Sequence, residues 1–196
     1  MKIQHSHHSP RSGFTLVELL VVVAIIAVLA GISTGVYGQV AKNAKKKQSA
    51  AIARAIEMAI EDYHTEYNCF PPPFRGTTAA NDTLDTDDVT GMTTLLADLL
   101  GEDTAQFNLR KKNFLNLENA NAGVNGIVYN GANVPTEIAD PYGQPYTIQV
   151  NTSYDQSGVT TPGGYRNGGT QIAKNVIVYN SGQDQEVGTS DDVITW

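Results

Sequence analysis

The residue of this chain whose chemistry is hardest to explain by burial is Glu18. It stands five positions after Gly13, in a run from Phe14 to about Val40 that is otherwise almost wholly apolar. A carboxylate near the centre of a membrane helix costs roughly 3 kcal/mol on insertion scales. A residue at such a position is a functional hypothesis by default and calls for a named partner. A second group of candidates closes the chain. From Asn180 to Trp196, carboxylates and Ser/Thr oxygens alternate with glycines. Calcium is held by about six to eight oxygen ligands, some of them backbone carbonyls freed by a tight loop. This segment supplies such oxygens in a small compass, without EF-hand spacing. The other reading is a solvated acidic turn anchored by Trp196. His64, with Glu61 and Glu66 nearby, is a third group, but it falls on the polar side of a helix. No glycine-rich phosphate loop and no nucleophile with a partner at useful spacing are present, so no enzymatic activity is expected.

The elements that must position these groups begin with the apolar run. No residue from Leu19 to Ile32 is charged or polar, and the extension to Val40 adds only Ser33, Thr34, Tyr37 and Gln39. About 25 helical residues cover the ~30 Å hydrocarbon core of a bilayer. Residues 1–13 form a polar leader with Lys2, Arg11, His5, His7 and His8. A secretory signal places its cleavage site after the apolar region; here the glycine precedes it, so cleavage there leaves the helix on the mature chain. Lys2 and Arg11 before the helix and Lys42, Lys45, Lys46 and Lys47 after it pull orientation in opposite directions.

Gly13-Phe14-Thr15-Leu16-Val17-Glu18-Leu19 resembles the N-terminal signal of type IV pilins and of type II secretion pseudopilins. The resemblance implies cleavage between Gly13 and Phe14 by a prepilin peptidase, then methylation of the Phe14 amine, with the leader in the cytoplasm and the rest outside. It also implies a homo-oligomeric helical fibre, made with other pseudopilins on an inner-membrane assembly platform. Cleavage creates a free amine at Phe14, and Glu18 of a neighbouring subunit can neutralise it. A buried charge is tolerated when its partner is present and costs several kcal/mol when it is missing, so the pair can set the stagger between subunits. Placement near a helix N-terminus is the alternative role for Glu18, worth under about 1 kcal/mol at a surface. Gly31, Gly35 and Gly38 are either small packing faces or points where the helix stretches on assembly. Gly35 falls where many of these proteins carry a proline.

The helix is expected to continue past the membrane. Ile52, Ile56, Ile60, Tyr63 and Tyr67 recur at helical spacing, with Arg54, Glu57, Glu61, Asp62 and Glu66 on the other side and Pro71-Pro72-Pro73 as the stop. Lys42–Lys47 reads as a solvated turn at the lipid headgroups, or as an intersubunit donor to Glu57, Glu61 or Asp62. Cys69 is the only cysteine; it excludes an intrachain disulfide and reads as a packing residue.

Residues 77–88 read as a loop in which Asp82, Asp85, Asp87 and Asp88 solvate the chain and cap the next helix, a cation site being the alternative. A helix over Val89–Leu100 buries Leu95, Leu96, Leu99 and Leu100, stops at Gly101 and is weakened by Gly91. Phe114, Leu115 and Leu117 pack under a sheet. Residues 118–135 are a loop with one strand at Ile127–Tyr129; strands follow at Thr147–Val150 and Val176–Tyr179, with a loop over residues 153–169 between them.

Asp140-Pro141-Tyr142-Gly143-Gln144-Pro145-Tyr146 is a rigid turn entering a strand. It resembles a turn of the major pseudopilin, with Tyr142 in place of the usual tryptophan. The acidic tail resembles the calcium loop that closes that protein. By position the resemblance implies calcium held by Asp184, Asp191 and Asp192, with an oxygen of Ser181 and carbonyls of Val187 or Thr189, although the loop here is shorter and has Gln185 where a glycine is usual.

The expected architecture is α+β, a pilin fold: leader 1–13, membrane and assembly helix 14–40, amphipathic helix 41–73, and an extracytoplasmic head 74–196 built on a small antiparallel sheet. Of the net charge of −7, residues 76–196 carry the acidic share, with five Lys/Arg against fifteen Asp/Glu. Nucleic acid, bound through neutralised phosphates, is not an expected partner.

Overall fold

The computed structural model describes residues 13–76, 82–85, 88–102, 104–105, 107–153 and 158–196, apart from the side chains of residues 33–36. The leader with its three histidines, Gly35 and Asp87 lie outside the described residues. The chain divides into two compact units, residues 1–42 and 43–196.

Helix α1 runs Leu16–Tyr67. Among the described side chains of α1 up to Val40 all are exposed: Leu16 is 79% and Val28 63% exposed. No single helix is long and apolar enough to cross a membrane; Leu16–Ile32 and Tyr37–Tyr67 meet that requirement only as a pair joined across residues 33–36.

Residues 43–196 form an α+β unit. The end of α1 buries Ile52, Ile56, Ile60 and Tyr63 together with Ala53 and Ala59. Helical spacing brings these onto one stripe, and each fully buried Ile contributes about 1.5–3 kcal/mol before entropy is counted. The helix stops at Asn68, which takes a left-handed backbone ahead of the prolines. Cys69 is half-buried against the same core.

The main sheet is antiparallel in the order β1(Asp82–Leu84), β4(Thr147–Val150), β7(Val176–Asn180), β8(Val193–Ile194). Thr147 faces Tyr179 and Val150 faces Val176 across β4 and β7. Every residue of β7 is buried. Side chains alternate across a strand, so Val176 and Val178 join the α1 core while Ile177 and Tyr179 join a second cluster with Val159, Tyr165, Ile172 and Trp196.

Helix α2 (Val89–Leu100) buries Leu95, Leu96 and Leu99. Asp88 caps it, accepting from the Gly91 N–H at 2.9 Å, and Gly101 ends it in a left-handed conformation, donating to the Ala97 carbonyl. Gly91, unfavourable for a helix, is explained by crowding: a Cβ there would lie 2.4 Å from the Asp88 carboxylate and 2.6 Å from Leu84.

The structure adds strands that the pattern does not announce. Asp82–Leu84 pairs with β4 where a loop is expected. β2(Gly126–Tyr129) pairs with β3(Pro135–Ala139). A proline at its start and Glu137 inside it hide β3. β5(Val159–Thr160) pairs with β6(Gln171–Ile172) inside and beside the expected 153–169 loop. The tail returns as β8, pairing Ile194 with Tyr179.

Candidate functional site

At the N-terminus, Phe14 is 73% exposed and α1 begins two residues later. The Thr15 N–H and hydroxyl both donate to Glu18 Oε2, at 2.8 and 2.7 Å, and the Glu18 N–H reaches Thr15 Oγ1 at 3.3 Å. This is a capping box: a Thr at the cap and a Glu three residues on satisfy each other's orphan donors. The Thr-x-x-Glu signature was present in the sequence and was overshadowed by the apolar run that follows it. Glu18 thus has a local partner, and its second oxygen, Oε1, is left to accept from elsewhere. Around it, Leu16, Val17, Leu19 and Leu20 are each more than half exposed. A continuous apolar surface of that extent marks contact with lipid or with another chain. A Cβ at Gly31 or Gly38 would meet nothing within 4 Å, so both positions offer open small faces.

Asp140 is fully buried and organises the turn after β3. Its Oδ1 accepts from the backbone N–H groups of Tyr142 and Gln144 at 2.7 and 2.8 Å. Its Oδ2 faces the Ser49 hydroxyl on α1 at 3.3 Å. Ser49 in turn shares a 2.8 Å hydrogen bond with the hydroxyl of buried Tyr146. Burial pushes the Tyr146 hydroxyl well above its ordinary range. The turn therefore docks on α1 through a closed polar network.

Two lysines of the 42–47 strip complete that docking. Lys45 Nζ donates to the Pro141 carbonyl at 3.3 Å and lies over the Tyr142 ring, and Lys46 Nζ donates to the Ser190 carbonyl. Neither of the two sequence readings of the strip anticipated these bonds within one chain. Glu57, expected on the polar side, is instead buried and paired with Lys174, which also donates to the Thr195 carbonyl at 2.6 Å. Lys174 ties the C-terminal strand to α1.

The tail loop bends at Gly182, whose absent Cβ makes room for the Asp191 carbonyl 2.4 Å away. Asp191 Oδ2 accepts from the N–H groups of Gln183 and Asp184 at 2.7 and 3.1 Å. Burial raises its pKa, but the Thr189 hydroxyl and these N–H groups outweigh that and hold it at about 2. Asp184 Oδ1 accepts from the Glu186 N–H, and Asp192 Oδ2 from the Gly188 N–H. All three carboxylates lie about one hydroxyl: Thr189 Oγ1 is 2.7 Å from Asp191, 3.4 Å from Asp184 and 3.5 Å from Asp192. A hydroxyl has a single proton, so it satisfies Asp191; Asp184 Oδ1 keeps the Glu186 N–H, and Asp192 Oδ1 faces the hydroxyl without receiving its proton. The donor chemistry suits a hard cation. Among the described residues, however, no three His, Cys, Asp or Glu side chains stand together as a metal-holding group. Ser181 lines a separate cavity of about 290 Å³ with Gln144, Thr147, Tyr165, Asn180 and Gln185.

His64 stacks on Phe70 at 4.5 Å, and burial lowers its pKa. Glu66 is taken by Arg110 and Lys112. The His64 group is thus a packing arrangement. Asp82 lies in β1 and Asp88 caps α2, so two of the four acidic residues considered for a cation site serve structure.

Sequence reasoning missed Asp98, fully buried on α2. Its Oδ1 accepts from Phe107 N–H at 3.0 Å, Asn108 N–H at 2.8 Å and the Tyr63 hydroxyl at 3.3 Å. The signal was available: Asp98 is the one carboxylate within Leu-Leu-Ala-Asp-Leu-Leu.

Residues 8–34 match the model of the prokaryotic N-terminal methylation motif, a match that supports a type IV pilin-like N-terminal segment. No curated protein and no solved structure matches the chain.

Proposed function

We propose that this chain is a structural subunit that polymerises into the pseudopilus of a type II protein secretion system. The observation that carries the reading is Glu18 within the matched segment, a lone carboxylate on an otherwise bare apolar helix. A prepilin peptidase cuts between Gly13 and Phe14 and the new amine is methylated. The helix then anchors the subunit in the inner membrane, head outside, until the assembly platform draws it into the fibre beside other pseudopilins. The pseudopilus is favoured over a type IV pilus by the Asp140–Tyr146 turn, by the acidic tail, and by a single cysteine that cannot close the C-terminal region with a disulfide.

Intact mass should give a mature chain beginning at methylated Phe14. Deleting the gene should retain specific exported proteins inside the cell while surface fibres persist. Loss of surface fibres with normal export would make it a pilus pilin. A processed chain that never enters a fibre would make it a membrane-anchored binding protein.

The tail loop is proposed to take calcium, with Asp184, Asp191 and Asp192 supplying carboxylates and Ser181 an oxygen. Support comes from three carboxylates about a hydroxyl that can satisfy only one. The ion would displace the Thr189 hydroxyl from the centre and neutralise the loop. Millimolar calcium should raise the melting temperature of the wild-type protein by a few degrees, in line with about 1–3 kcal/mol of linkage at concentrations well above Kd. Asp184→Ala and Asp191→Ala should each abolish the shift. An undiminished calcium response in both variants overturns the site.

A further inference from the structure

A basic knuckle stands out from an otherwise acidic head. Residues 76–196 hold five Lys/Arg, and three of them are consecutive: Arg110, Lys111 and Lys112. All three are exposed, as is Arg75, whose guanidinium lies 4.1 Å from the centre of the Phe107 ring. Leu109, at the tip, is 85% exposed, more than any other large apolar side chain among the described residues. One exposed leucine is ordinary, but this one is held out by a locked turn. The Lys111 N–H donates to the Asn108 carbonyl at 3.0 Å. Lys111 itself takes a left-handed backbone. The Asn108 side chain bonds both the N–H and the carbonyl of Lys112, at 3.1 and 2.7 Å. Leu109 cannot fold back without undoing the buried Asn108–Asp98 network. A group ordered in advance loses little freedom on binding.

The occupant that fits is an apolar side chain next to an exposed carboxylate. The head carries one at its other end. Val187 is 49% exposed. It follows Glu186, an exposed carboxylate that no hydrogen bond or ion pair takes up among the described residues. Calcium in the tail loop would engage Asp184, Asp191 and Asp192 and leave Glu186 outside. Met58 and Val89 are the other exposed large apolar side chains of the head, and the carboxylate next in sequence to each is already engaged. Asp88 caps α2, and Glu57 pairs with Lys174. Knuckle and loop are separate surfaces. Arg110 and Lys112 are tied to Glu66, whereas the tail loop is tied to Lys46 through the Ser190 carbonyl. Those anchors stand twenty residues apart on α1, about 30 Å along its axis, too far for the two surfaces of one chain to meet. We propose that the Leu109 knuckle receives the Glu186–Val187 segment of a second copy of this chain. Leu109 and Phe107 cover Val187, and the surrounding cations face Glu186. Complementary charge of this kind selects the partner and fixes the register. Different surfaces of one molecule meet, so the contact is heterologous and, when repeated, builds an open helical assembly.

This inference rests on the polymerisation reading, and the test separates the two. Chains carrying Cys69→Ser and one new cysteine each, Leu109→Cys in one and Val187→Cys in the other, are co-expressed from differently tagged genes and oxidised in membranes. Assembly is scored in parallel, with and without Cys69→Ser, by a photocrosslinker placed in the apolar helix. The expected result is a mixed-tag disulfide dimer, at least tenfold weaker when the second cysteine is at exposed Met58 or Val89. Glu186→Arg in the second chain should cut the dimer at least threefold, and Arg110→Glu in the first should restore it. A dimer indifferent to both reversals overturns the charge pairing that selects this occupant. A photocrosslinked ladder without the disulfide dimer overturns the knuckle contact while leaving the fibre standing. A photocrosslinker at Leu109 that captures an exported protein and no second copy overturns it in the same way. Absence of the ladder overturns both.

Discussion

Asp98→Ala should destabilise the head by about 3–5 kcal/mol, the largest effect of any single change in its core. One carboxylate oxygen accepts from two backbone N–H groups and from the Tyr63 hydroxyl. Truncation leaves two buried donors, the Asn108 N–H and the Tyr63 hydroxyl, and the part-buried Phe107 N–H without this acceptor, at about 1–3 kcal/mol for each that no water reaches. The loss spreads, because Asn108 is part of the same network. Its side chain donates to the Asp98 and Lys112 carbonyls, both at 2.7 Å, and accepts from the Tyr67 hydroxyl, also at 2.7 Å. Together Asp98 and Asn108 fasten the segment after α2 to the end of α1. Asp98→Asn keeps an oxygen for the same three donors and should cost only about 1–2 kcal/mol. Urea unfolding of the two variants measures the difference; equal midpoints would mean that the carboxylate does not hold the segment.

Glu18→Ala should leave the chain processed and membrane-associated but exclude it from fibres. Two roles for Glu18 compete, and their magnitudes decide between them. The capping box with Thr15 is worth about 1 kcal/mol, as helix caps generally are. At the centre of a membrane helix an ionised carboxylate costs roughly 3 kcal/mol, and Glu18, in the first turn of α1, bears part of that cost once the turn enters the bilayer. A cap alone does not offset that cost. In the proposed fibre a neighbouring subunit's Phe14 amine would offset it, since a buried charge is tolerable when paired. In that fibre the cap would have a second use: it fixes Glu18 Oε2 on Thr15 and would leave Oε1 to the amine. The account makes Glu18 a register device that is satisfied only at one stagger between subunits.

How much of this was legible in the sequence depended on where the decisive contacts lie. The stripe from Ile52 to Tyr63, the capped α2 and the strands at 147–150 and 176–180 follow from local period and turn chemistry, and the structure has them. The expectation for Gly13, Phe14 and Glu18 came from one compact motif, and the N-terminal match covers it. What the sequence hid is long-range. Lys174 meets Glu57 across 117 residues and Ser49 meets Asp140 across 91, and no local pattern marks such a pair. Strands β5 and β6 are two residues each, and β3 carries a proline and a glutamate; they exist because a partner strand supplies hydrogen bonds, not because their residues prefer extension. Asp98 and the Thr15–Glu18 box were readable but masked by strongly apolar neighbours.

The most direct test of the central claim is Glu18→Gln, expressed as the only copy of the chain. Glutamine completes a capping box as glutamate does, so the helix start survives, while the charge that pairs with the amine is gone. In cells, the variant should appear at the mature mass beginning at Phe14, sit in the membrane fraction, and give no crosslinked ladder beyond the monomer. A ladder equal to that of the wild type would contradict the account and assign Glu18 to capping alone.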